Sequence, residues 1–253
     1  VKQKNFGSSL VGLAIVLGIV ALLMASLLPL LSGQVEQGRR AETKKLLNEI
    51  QQALIGYAVI NGRLPCPAKA PLATGAANAG IEATTGNNCA CVNNSGSTVA
   101  DNSALGCTGT TVAGVLPWVT LGINETDAWG HRYTYRVTRR FADQIAANTT
   151  DCSPAVAQPA TSSFALCSQG VPDVLTAVAG TNVATDVPAI FVSHGTNGYG
   201  AYTTDGSQLA GGSGDELENS DNNVSFVTHD ANPTFDDLLA WISPGILFNR
   251  MVT

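Results

Sequence analysis

A run of 22 residues without one charge, Leu10 to Leu31 (LVGLAIVLGIVALLMASLLPLL), limits most strongly what this chain can fold into. As a helix rising about 1.5 Å per residue it covers about 33 Å, enough to cross a bilayer. Lys2 and Lys4 precede it, a bias that leaves the N-terminus in the cytoplasm and the rest outside. A secretory signal has a shorter apolar core, roughly 7–15 residues, followed by a small-residue cleavage site. Here the helical pattern continues instead. Beyond Gly33, Leu46, Leu47, Ile50, Ala53, Leu54, Tyr57 and Ala58 recur at helical spacing, with Glu42, Lys45 and Glu49 on the polar face. Asn61-Gly62 followed by Pro65 stops the pattern. The spacing predicts one helix from about Ser9 to Asn61, apolar all round in its first half and striped in its second.

Within that helix Pro29 lacks an N–H, and its ring clashes with the Ala25 carbonyl, a cost of about 3 kcal/mol. A kink around Ser26–Pro29 in an assembled state is the expectation. Residues 63–253 are then a separate head, in which 68–114 reads as a long Gly/Ala/Asn/Thr-rich loop. Charge divides along the same line. Residues 1–63 hold seven basic and three acidic side chains, whereas the remainder holds six basic and sixteen acidic. A basic stalk and an acidic head attract one another between copies. With no basic stripe to neutralise phosphates, nucleic acid is not an expected partner.

All six cysteines, Cys66, Cys89, Cys91, Cys107, Cys152 and Cys167, lie in the head. An even number there reads as disulfides in an oxidising compartment. The expected pairs are Cys152 with Cys167, and Cys66 with one of Cys89, Cys91 or Cys107. A metal site is the weaker alternative, because no second Cys pair or His stands at zinc-finger spacing from Cys89-Ala-Cys91.

The segment Lys2-Gln-Lys-Asn-Phe-Gly7 followed by Ser8-Ser-Leu-Val-Gly-Leu-Ala-Ile-Val-Leu17 resembles the prepilin leader and helix of type IV pilins and type II secretion pseudopilins. The resemblance implies cleavage by prepilin peptidase between Gly7 and Ser8, and methylation of the new N-terminus. It makes Leu10, Gly12, Leu13, Val16, Leu17 and Pro29 part of a filament-core helix, residues 10–31 of a helical region 8–62 behind a leader, 1–7. The family usually carries Phe first and Glu fifth after the cut; here these are Ser8 and Gly12. Asp127-Ala-Trp129-Gly130-His-Arg-Tyr133-Thr-Tyr135 is similar to the Asp-Pro-Trp-Gly-Asn-Pro-Tyr run of major pseudopilins. The implied partners are further copies of the chain, other pilin-like subunits, the inner-membrane assembly machinery and prepilin peptidase. The implied location is a single pass in the inner membrane before assembly, then an extracellular filament or a periplasmic pseudopilus.

In the head, Tyr133, Tyr135 and Val137 alternate onto one face of a strand, Asp127 caps the turn before it, and Trp129 packs on the helix. Pro188–Ser193 and Val224–Thr228 read as further strands, Thr234–Ile242 as a capped helix, and Ser243-Pro244 as the start of a short closing helix. Asp215, Glu216, Glu218, Asn219 and Asp221 gather hard oxygen ligands after a Gly-rich loop, a candidate for calcium; a solvated acidic turn is the plainer reading. Ser193 and His194, adjacent on a strand, point to opposite faces and do not make a nucleophile–base pair. Catalysis is not expected. The fold expected is α+β and pilin-like, a long N-terminal helix packed on a C-terminal antiparallel β-sheet head. The function expected is a structural filament subunit, with a minor tip pilin or a pseudopilin serving adhesion or secretion as the alternative.

Overall fold

The computed structural model describes residues 9–143 and 162–252, with backbone alone at 9, 10, 24–32 and 252. The helices are α1 (Ser9–Asn61), α2 (Trp118–Leu121), α3 (Arg139–Ala142), α4 (Asp215–Glu218) and α5 (Pro244–Val252). The strands are β1 (Thr84–Thr85), β2 (Asn88–Cys89), β3 (Cys91–Val92), β4 (Thr98–Val99), β5 (Thr111–Val115) and β6 (Thr134–Thr138). After these come β7 (Asp173–Leu175), β8 (Asn182–Ala184), β9 (Ala189–Ser193), β10 (Ser225–Val227) and β11 (Leu238–Ile242). Two compact units result, Val1–Glu42 and Thr43–Thr253.

In the first unit the backbone of α1 is helical through Ser26–Pro29. Among the described residues no helix is long and apolar enough to cross a membrane. The helical residues 33–61, 29 in all, are not apolar, and include Glu36, Arg39, Arg40, Glu42, Lys44 and Lys45. The expected single pass through the inner membrane, with its later extracellular or periplasmic location, is corrected on this ground.

The second unit is built on a four-stranded antiparallel sheet in the order β11-β9-β6-β5. One face carries Val112, Tyr135, Val137, Phe191, Leu238 and Ile242, packed with Leu47, Ile50, Leu54 and Ala58 of α1 and Leu247 of α5. Those helix positions repeat every three or four residues, so one stripe enters the core. The helix ends as Gly62 takes a φ of 68° and its N–H donates to the Ala58 carbonyl at 2.8 Å. This left-handed cap leaves the next residues free to leave the helix axis. The opposite face of the sheet, with Ile190 and Val192, packs on Val174, Val187 and Phe226. It is covered by a three-stranded sheet, order β10-β7-β8, in which β10 and β7 run parallel.

The class is α+β, but the expected pilin-like arrangement, a long N-terminal helix packed on a C-terminal antiparallel β-sheet head, is corrected: the 29-residue helical stretch is not apolar, and the sheets are small and multiple. Four small sheets are present among the described residues, two of them hairpins of two strands each. Val224–Thr228 does contain a strand, β10, yet it pairs with Asp173–Leu175 rather than joining the main sheet. The expected helix at Thr234–Ile242 is also corrected, because Leu238–Ile242 is edge strand β11 against β9. Its run Leu-Leu-Ala-Trp-Ile is apolar on both sides because the sheet is covered on both faces, and such a run hides the two-residue period.

The segment 68–114 is held at both ends. Cys66 is bonded to Cys89 and Cys91 to Cys107. Cys167 is disulfide-bonded as well; its expected partner, Cys152, lies outside the described residues. Glu82 ties the segment to the end of α1. Its carboxylate accepts Arg63 Nη1 at 2.8 Å and Nη2 at 2.7 Å, Tyr57 Oη at 2.8 Å and Cys66 N at 3.0 Å. Burial works to raise the Glu82 pKa, but the hydrogen bonds from Arg63, Cys66 and Tyr57 outweigh it and hold the carboxyl below its usual value. Removing one partner from such a buried pair leaves the other charge uncompensated, at a cost of about 3 kcal/mol. Glu82→Ala is therefore expected to lower the urea-unfolding free energy by about that amount, whereas Glu125→Ala, at a comparable ion pair with Arg132, provides an internal comparison. A loss for Glu82→Ala below about 1 kcal/mol would contradict the assignment.

Candidate functional site

The first unit offers the largest chemical anomaly. Between Val11 and Leu22, every large apolar side chain is exposed: Leu13 by 58%, Val16 by 56%, Leu17 by 60% and Leu22 by 74%. The residues face all sides of the helix, so no rotation of it would hide them. Burying each such side chain is worth about 1.5–3 kcal/mol, and contiguous apolar surface of this extent marks an interaction site. Gly12 and Gly18 have nothing within 4 Å of where a Cβ would stand. Of the residues singled out in the sequence, Gly12, Leu13, Val16 and Leu17 thus lie on this exposed surface. Leu10 and Pro29 are helical in backbone, and Gly7 and Ser8 lie outside the described residues.

The acidic candidates separate. Glu216 and Asn219 turn inward, 2% exposed each, while Asp215, Glu218 and Asp221 bind loop partners near the surface. Glu216 meets Asp236 and Asp237, with carboxylate oxygens of all three within 4.8 Å of one another. Asn197 Nδ2 donates to both Glu216 oxygens at 2.8 and 2.9 Å, and Asp236 N donates to Oε1 at 2.9 Å. Asn219 Nδ2 donates to Asp237 Oδ2 at 2.8 Å. Asp237 Oδ1 accepts no hydrogen bond. These oxygens are largely spent on protein donors and fall short of the six to eight that calcium takes. Asp236 and Asp237 escaped the sequence reading because they lie about twenty residues on, within what looked like the first turn of a helix.

Beside Asp237 Oδ1, at 3.7 Å, is Nδ1 of His194, fully buried and also without a hydrogen-bond partner. Its Nε2 lies 2.7 Å from Thr134 Oγ1. Burial pushes the His194 pKa down to about 3 and the Asp237 carboxyl well up, in each case disfavouring the charged form. Ser193, one residue earlier, points elsewhere and donates to Asp127 Oδ2 at 2.6 Å. Asp127 Oδ1 accepts the N–H groups of Trp129 and His131, both at 2.9 Å, which fixes the turn into β6. The Asp-x-Trp-Gly motif is a structural turn buttressed by Ser193. His131 Nδ1 lies 3.1 Å from Gly195 O, and His229 Nε2 lies 3.1 Å from Asp215 Oδ2, so the three histidines serve separate contacts.

Compared with known proteins, the chain matches no family model, no curated protein and no solved structure.

Proposed function

We propose that this chain is a structural subunit of a filament of the type IV pilin and pseudopilin kind, polymerising through its N-terminal helix. The observation that carries the reading is the apolar surface from Val11 to Leu22, exposed on every side of the helix. A surface apolar all round suits the centre of a bundle of like helices, where each is enclosed by neighbours. The basic excess of residues 1–63 and the acidic excess of the remainder supply attraction between copies. The disulfides of the second unit fit service in an oxidising environment. Other pilin-like subunits, the assembly machinery and prepilin peptidase are the further partners in this reading. Gly12, in place of the Glu usual in that family, favours a minor subunit at a filament tip as the second reading.

Leu13→Lys combined with Leu17→Lys puts two charges into the apolar surface without touching the second unit. Full-length protein, freed of detergent, is expected to form fibres visible by negative stain, and the double variant is expected to remain monomeric in sedimentation. Fibres from the double variant equal in length and number to those of the parent would refute polymerisation through this helix.

A further inference from the structure

Arg136 on β6 has its neighbours Tyr135 and Val137 in the core beneath α1, so the strand's alternation sends its own side chain to the opposite face. It is 3% exposed. Its Nη1 donates to the Gly106 carbonyl at 3.0 Å, its guanidinium lies over the Phe226 ring at 5.8 Å, and its Nε has no hydrogen-bond partner. No carboxylate among the described residues pairs with it. The other buried arginines differ: Arg63 is paired with Glu82 and Arg132 with Glu125. Asp221 acts on Arg136 only through its field and does not offset burial, so the guanidinium has no carboxylate in contact with it, a costly arrangement for a buried cation. Its seat is shaped for it, since Gly106, at φ 69°, would place a Cβ 2.5 Å from Nη2.

Arg136 is among the residues that line a cavity of about 230 Å³. Its wall includes Asn94, Tyr202, Gln208, Glu218 and Asn222, of which Asn94, Gln208 and Asn222 form an exposed rim. We propose that this cavity binds a single carboxylate-bearing sugar, with the carboxylate on Arg136 and the ring hydroxyls on the surrounding amides and Glu218. The guanidinium fork matches a carboxylate with two parallel hydrogen bonds. Side-chain amides offer both donors and acceptors, the pattern hydroxyls need. Tyr202, half-buried in the wall, adds aromatic surface for the apolar side of a pyranose. The volume is below the roughly 300–1,000 Å³ of sites for larger ligands, which restricts the occupant to one residue. Glu218 on the wall and Asp221 nearby weigh against a doubly charged phosphate in favour of a singly charged carboxylate. This inference is independent of polymerisation, because the cavity belongs to the second unit alone.

The test is titration of the full-length chain in detergent micelles, by calorimetry and saturation-transfer NMR, with D-glucuronate, D-glucose, acetate and inorganic phosphate. Glucuronate is expected to bind at least about tenfold more tightly than glucose, the discrimination one charge-assisted contact supplies. Acetate and phosphate are expected to bind more weakly than glucuronate. Arg136→Lys is expected to weaken glucuronate about tenfold, and Asn222→Asp, at the exposed rim, to weaken glucuronate about threefold more than it weakens glucose. The rim variant decides the matter should the buried substitution prevent folding. Equal affinities for glucose and glucuronate, preference for phosphate, no glucuronate binding at about 10 mM, or indifference to Asn222→Asp would each overturn the proposal.

Discussion

Replacing Cys66 and Cys89 together by Ala, and separately Cys91 and Cys107, is expected to cost about 3 kcal/mol per bridge, because the closed loops separate their ends by 23 and 16 residues. Both bridges anchor a segment with little regular structure of its own: β1 to β4 are two residues each. All four sulfurs lie in the principal core beside Leu54, Leu64 and Val112. Without them the segment has few apolar side chains to resist unfolding, and the unfolded chain regains the freedom the bridges removed. Removing both bridges is expected to cost about 6 kcal/mol together, comparable to the whole stability of an ordinary domain. Urea unfolding of the oxidised protein and of the two paired variants measures this. A combined loss below about 2 kcal/mol would mean the core holds the segment unaided.

Acid is expected to act through His194 with similar force. Burial lowers its folded pKa from 6.5 to about 3, so the unfolded chain binds a proton that the folded chain refuses. The associated stability is fully present above pH 6.5 and is lost as pH falls toward 3, a loss of roughly 4–5 kcal/mol at the acid end. Asp237 opposes it. Its folded pKa is raised above 3.8, chiefly by burial, so its contribution improves as pH falls toward 3.8. Two variants separate the contributions in urea titrations from pH 7 to pH 3. His194→Gln is expected to flatten the decline, and Asp237→Asn, which keeps an acceptor for Asn219, is expected to steepen it. Equal slopes in the parent and His194→Gln would show that the imidazole does not govern acid unfolding.

How much of this was legible in the sequence differs from element to element. The stripe Leu47, Ile50, Leu54 and Ala58 was readable because a helix buried on one side leaves a 3.6-residue period. The strand at Tyr133–Val137 and the Asp127 turn were readable because alternation and local side-chain capping operate within a few residues. Leu238–Ile242 was misread as helix because a strand covered on both faces has no polar side to mark its period. The parallel pairing of Ser225–Val227 with Asp173–Leu175 joins segments about fifty residues apart, and no local pattern announces such a partner. The same applies to Glu216 meeting Asp236 and Asp237, and to the cavity lined by Arg136, whose wall is drawn from seven separate stretches of chain. The one site feature plainly visible beforehand was the uncharged run of the first unit, because a stretch without charges is legible from composition alone.

The helix carries its own guide to where the polypeptide can be cut. Thr43, fully buried, accepts a hydrogen bond from Ala128 N–H at 3.3 Å, and the second compact unit begins at that residue. A fragment starting a few residues before Thr43 keeps the entire core stripe and discards the greasy end, which makes it the natural piece for crystallisation or immunisation. A fragment trimmed at Gly62, where the helix ends, would lose Leu47, Ile50, Leu54 and Ala58 at once and leave one face of the sheet bare.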